Sequence, residues 1–136
     1  VPGETADAAA ARLPDALARH RPALVLLCSG GNDILRKRAP DLIRADLESM
    51  VHTARAAGAQ VVLIAVPRPG LRVRVAPWYA QLGADLGVPV EAHALADILG
   101  TPALKADPIH PNAAGYAQLA HALATVLRER GAVPAH

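Results

Sequence analysis

Apolar residues in this chain follow two alternating patterns. LVLLC (Leu24 to Cys28) and VVLIAV (Val61 to Val66) are short unbroken runs, which predict strands buried on both faces. VPVEAH (Val88 to His93) predicts a third strand. Between them the spacing turns helical. Leu42, Ile43, Leu47, Met50, Val51 and Ala54 recur at helical intervals within Asp41 to Ala57, and Gly58 is a natural stop. Thr5 to Arg21 is helical in composition, with Pro14 placed to split it and open a second helix. Trp78 to Leu86 predicts a short helix. A long one is expected from about Asn112 to Arg130, its buried stripe drawn from Ala117, Leu119, Ala120, Leu123, Ala124 and Leu127. Pro67 to Pro77 is too rich in proline for a central strand.

Strands alternating with helices predict an α/β sandwich with a parallel sheet, a single domain over residues 1–136. In such sheets ligands bind outside the carboxyl ends of the strands. SGGND follows the first of these strands and DPIH lies in the connection after the third. Both polar clusters are therefore expected at one edge of the sheet.

Composition narrows the function classes. The chain has 136 residues, 52% hydrophobic and 19% charged, as in a globular domain. It has no Phe, so its core must be aliphatic. A formal charge of +2, with no basic run interleaved with aromatics, argues against a nucleic-acid partner. The single cysteine, Cys28, excludes an internal disulfide and a cysteine-based zinc site, and its apolar run predicts a buried thiol. The six histidines include no pair at ligand spacing on one helix, so no metal is called for. No apolar stretch approaches the ~20 residues that span a bilayer. No secretory leader is visible, and the chain opens at Val1 rather than a methionine, which leaves compartment and oligomeric state open.

Three short segments carry candidate chemistry. In DPIH, Asp and Pro favour a type I turn that brings Asp107 and His110 within about 7 Å between Cα atoms. A carboxylate there fixes the imidazole tautomer while the other ring nitrogen acts as base. The plainer alternative is a helix lead-in with an incidental histidine. In SGGND, the glycines allow a tight turn and Asn32 offers an amide donor for an oxyanion; equally, the segment is a glycine turn with Asp33 as a cap. In VPGET, Gly3 offers an unobstructed backbone N–H and Thr5 a helix cap.

Taken in order, these segments resemble the SGNH, or GDSL-type, serine hydrolases, especially the bacterial thioesterase/lysophospholipase and arylesterase branch. VPGETADAAAARLP resembles that family's second conserved block, SGGNDILR its third and KADPIHPNAAGYAQLA its last. The resemblance implies a flavodoxin-like three-layer α/β/α sandwich. It also implies an ester hydrolase with His110 as base, Asp107 as its orienting carboxylate, and Gly3 N–H and Asn32 as oxyanion donors. No cofactor is implied, and the partner is a small ester or acyl substrate.

The family's nucleophile is the serine of a Gly-Asp-Ser-Leu segment on the first strand, and no such segment occurs here. The resemblance therefore implies an N-terminally incomplete domain, whose first strand region and serine lie upstream of Val1. Loss of that central strand implies an exposed apolar edge. Of the two serines present, Ser29 ends a strand without the strained elbow a nucleophile needs, and Ser49 lies mid-helix. Two other readings remain at this point: a non-catalytic remnant that binds rather than cleaves, and a carbohydrate O-acetylesterase. The Pro67 to Tyr79 segment, with Leu71, Val73, Val75, Trp78 and Tyr79, is the expected wall of an acyl pocket, although aliphatic loops also simply pack down.

Overall fold

The structure, a computed structural model, describes residues 5–28, 37–68, 74–107 and 110–129. Three strands, β1 (Leu24–Leu27), β2 (Gln60–Ile64) and β5 (Val90–Glu91), form a parallel sheet in the order β1-β2-β5. Leu24 pairs with Gln60 and Leu27 with Leu63, while Leu63 and Ile64 pair with Val90 and Glu91. All three fall where strands are expected, but β1 is not buried on both faces as its apolar run predicts, since Leu26 is 44% exposed.

Helices α1 (Ala6–His20), α2 (Pro40–Ala56) and α3 (Trp78–Leu86) cover one face of this sheet. Helices α4 (Ala94–Leu99) and α5 (Ala113–Glu129) cover the other. The strand period of two divides the apolar residues between these layers. Val61 and Leu63 join Val25 and Leu27 on the α1–α3 side. Val62 and Ile64 join Leu24 on the α4–α5 side. β2 is thus buried on both faces, which is why its sequence is an unbroken apolar run rather than an alternation. Layer by layer this is the three-layer α/β/α sandwich.

Besides Leu42, which is 52% exposed although it stands in the expected stripe of α2, and Thr5, whose side chain makes no cap bond to α1, four details depart from the sequence expectations. Pro14 lies within one continuous helix and does not divide it. Ala6, Ala9, Ala10, Leu13 and Leu17 form one stripe on both sides of the proline, and four of them pack on the same core, so packing carries the helix across the lost hydrogen bond. Secondly, the buried stripe of α5 runs through Gly115, Leu119 and Leu123, whereas Ala117 and Ala120 face solvent. Thirdly, Cys28 falls just beyond β1 and is exposed. Lastly, Tyr79, 1% exposed, belongs to the core with its ring stacked on Trp78 at 4.1 Å, so it is not a pocket wall. Leu71 and Val73 lie outside the described residues.

β1 is the outer strand of the described sheet, and Leu26 on it is 44% exposed. Two small antiparallel ladders complete the fold: β3 (Pro67–Arg68) with β4 (Arg74–Val75), and β6 (Lys105–Asp107) with β7 (His110–Pro111). A 3-10 turn, Pro102–Leu104, leads into β6. Among the described residues, no helix is long and apolar enough to cross a membrane.

Candidate active site

The β6–β7 ladder is what brings the candidate acid–base pair together. Asp107 stands opposite His110, and residues opposite each other on an antiparallel pair project to the same face. The register shifts between Lys105 and Asp107, the sign of a bulge, a device that re-aims a side chain. As a result His110 Nδ1 lies 2.9 Å from one Asp107 carboxylate oxygen and 3.0 Å from the other. An Nδ1–H donating to the carboxylate leaves Nε2 as the ring's acceptor, and among the described residues Nε2 has no partner. The side chains of His110 and Asp107 are 56% and 48% exposed, so the imidazole is within reach of a substrate. The same exposure limits what the pair adds to stability to about 0–1 kcal/mol.

Behind the pair the packing is tight. Pro111 is buried, and β7 packs on α4 and α5. Asn112 caps α5: its Oδ1 accepts from the Gly115 N–H at 3.0 Å, and its Nδ2 donates to the Ala103 carbonyl at 2.9 Å. The sequence reading places Asn112 at the start of the last helix and gives it no task. An Asn directly before Ala-Ala-Gly is nonetheless a capping signal.

Gly3 and Asn32, the expected oxyanion donors, lie outside the described residues, as does Ser29. The segments adjoining the two donors are described. Arg38, which follows the SGGND segment, pairs with Asp46 of α2 and lies 3.9 Å from Asp7 of α1. Cys28 is open to solvent over part of its surface, while atoms crowding its sulfur desolvate the thiolate and push the thiol pKa up. A thiol held protonated is a poor nucleophile. Among the described residues, no group of three or more His, Cys, Asp or Glu is arranged to hold a metal ion. A shallow cleft of about 330 Å³ between α2 and α3 is lined by Asp41, Arg44, Glu48, Leu82 and Asp85, and by none of the candidate residues.

Comparison with known proteins identifies the family to which this three-layer sandwich, with its Asp–His pair directly before the last helix, belongs. The chain belongs to the GDSL-like lipase/acylhydrolase family, whose model matches residues 1–118. Over 69 residues it is 45% identical to esterase TesA of Pseudomonas aeruginosa, covering 51% of this chain and 34% of that protein. Over 118 residues it is 31% identical to thioesterase 1/protease 1/lysophospholipase L1 of Escherichia coli K12, covering 82% of this chain and 57% of that protein. A crystal structure of TesA matches with a TM-score of 0.80 at 32% identity, over 93% of this chain and 74% of that one. The chain thus spans between about a third and somewhat over half of the length of these two curated relatives.

Proposed function

We propose that this chain is part of a serine ester hydrolase in which His110 is the general base and Asp107 its orienting carboxylate. Gly3 N–H and the Asn32 side chain donate to the oxyanion, and the serine comes from a segment preceding Val1 in the full protein. The observation that carries this reading is the approach of both Asp107 oxygens to His110 Nδ1, with Nε2 left open. Membership of the acylhydrolase family supports it.

In the reaction so proposed, Nε2 takes the proton of the serine hydroxyl as its oxygen attacks the ester carbonyl. The tetrahedral intermediate places its negative charge between the Gly3 and Asn32 donors. Imidazolium, stabilised by Asp107, then protonates the leaving alcohol or thiol as the carbon–oxygen or carbon–sulfur bond breaks. Water repeats the sequence on the acyl-enzyme, releasing the acid and restoring the serine. A positioned general base contributes about 10²–10⁴-fold. One oxyanion donor adds about 2.7–4 kcal/mol. The relatives are named esterase and thioesterase/lysophospholipase, which supports acyl esters or thioesters as the substrate class.

The test is hydrolysis of p-nitrophenyl esters and labelling by a fluorophosphonate, on residues 1–136 alone and on the longest reading frame that contains them. Turnover and labelling of the longer protein only are expected. Labelling of the short chain at Ser29 would overturn the upstream serine. Silence from a longer protein that contains Gly-Asp-Ser would favour a binding protein.

A further inference from the structure

Asn112 makes more connections than a helix cap requires. Its Oδ1 accepts from Gly115 N–H, and its carbonyl accepts from Tyr116 N–H at 2.9 Å, as any residue starting a helix would. Two further bonds point the other way. Its backbone N–H donates to the Leu104 carbonyl at 2.9 Å, and its Nδ2 donates to the Ala103 carbonyl at 2.9 Å. Ala103 lies four residues before Asp107, and Asn112 two residues after His110. One side chain therefore ties the segment feeding the carboxylate strand to the segment leaving the imidazole strand.

That tie matters because the ladder itself is slight. β6 and β7 share two bridging pairs with a register shift between them, and so short a hairpin is not stable by itself. The exposed Asp107–His110 pair holds itself only weakly. Beside the packing of β7 on α4 and α5, the two strands are joined at the end of the ladder away from Asp107 and His110, where Asn112 stands.

We propose that Asn112 is a positioning residue for the Asp107–His110 pair, acting through its Nδ2 tether to Ala103 in addition to its helix cap. Its effect on turnover rests on His110 being the base, as proposed above. Its effect on the pair does not. Asn112→Ser separates tether from cap, because the serine oxygen still accepts from Gly115 N–H but is too short to donate to Ala103.

The experiment compares the parent, Asn112→Ser and His110→Ala in the longest reading frame containing this chain. Readouts are kcat and KM on a p-nitrophenyl ester and the ¹⁵N shifts of the His110 ring nitrogens. For Asn112→Ser, kcat falls roughly tenfold to a hundredfold, the range a misplacement near 1 Å produces. KM stays within about twofold, since binding common to ground and transition states is untouched. The ring nitrogens change from a single Nδ1–H tautomer to a mixture. Parent-like kcat and ring shifts in Asn112→Ser, with His110→Ala silent, would overturn this inference and leave the hydrolase reading standing. A parent without turnover would count against the hydrolase reading, and the ring shifts would still decide the role of Asn112. Should Asn112→Ser not fold, Asn112→Asp keeps the cap and the shape without the donor, and the ring shifts decide in the same way.

Discussion

Gly115 and the Leu104 carbonyl lie so close that a Cβ on Gly115 would stand 2.2 Å from that oxygen. It would also meet Ile98 Cγ2 and Pro111 Cβ at 2.9 Å. The first turn of α5 therefore docks on the 3-10 turn through a residue with no side chain. Neither a carbonyl nor a proline ring yields as a flexible side chain does, so Gly115→Ala should cost about 1–3 kcal/mol, as overpacking does. The urea midpoint checks this. An unchanged midpoint would mean that α5 is not held so closely behind His110.

Gly83 has the same role on the opposite layer. A Cβ there would lie 2.2 Å from Val90 Cγ2 and 2.8 Å from the Val88 carbonyl, where α3 crosses β5. Gly58 differs in kind: nothing lies within 4 Å, but its φ is +87°. Gly83→Ala should lose about 1–3 kcal/mol through contact. Gly58→Ala should lose about 1–2 kcal/mol through backbone strain alone. In crystal structures of the variants, the first should displace α3 and the second should leave its neighbours in place.

Leu63 is fully buried on β2, the central strand, whereas Leu42 on α2 is 52% exposed. Leu63→Ala should destabilise by about 2–5 kcal/mol. Leu42→Ala should stay within about 0.5 kcal/mol, as surface changes do. Equal shifts in denaturation midpoint for the two would contradict the layer assignment.

Asp7, in the first turn of α1, accepts a hydrogen bond from the Thr5 hydroxyl, which more than any other contact lowers its carboxyl pKa below 3.8; Arg38 lowers it further. A carboxyl depressed in the folded state contributes stability above its unfolded pKa. That contribution is lost as pH falls through the folded value. Its loss is therefore confined to the acid side of about pH 4. Thr5→Val should shrink the acid-dependent part of stability between about pH 4 and 2 and leave the pH 7–8 plateau flat. Urea midpoints across pH report it. A Thr5→Val acid limb as steep as the parent's would assign that limb to other carboxylates.

The parts of the fold legible in the sequence were those governed by burial alone. β2 is apolar from Val61 to Ile64 because both of its faces are covered there, and α2 shows its stripe because only one of its faces is. Pro14 misleads because a local rule of helix termination is outweighed by burial on both sides of it, with Leu13 packed on the core and Leu17 6% exposed, a tertiary effect. Helix α4, Ala94–Leu99, escapes because six residues are too few to set a period. For the site, the Asp-x-x-His spacing was readable because the partners are local. The Asn112–Ala103 tether spans nine residues and depends on a 3-10 turn that no periodicity announces.

Oxyanion stabilisation by Asn32 forms a separate expectation, since it adds to the base rather than replacing it. Asn32→Ala in the longer protein should lower kcat by about 10²–10³-fold. Fluorophosphonate labelling should slow with it. A loss of less than about fivefold would remove Asn32 from the oxyanion site.

The most direct measurement of the central claim is kcat on a p-nitrophenyl ester for the longest reading frame containing this chain, beside its His110→Ala variant. With His110 as the base that Asp107 orients, the parent turns over and the variant loses at least about 10²–10⁴-fold. Circular dichroism should be unchanged, because the histidine side chain is more than half exposed. A parent that turns over beside a His110→Ala variant within a few-fold of it would contradict the account.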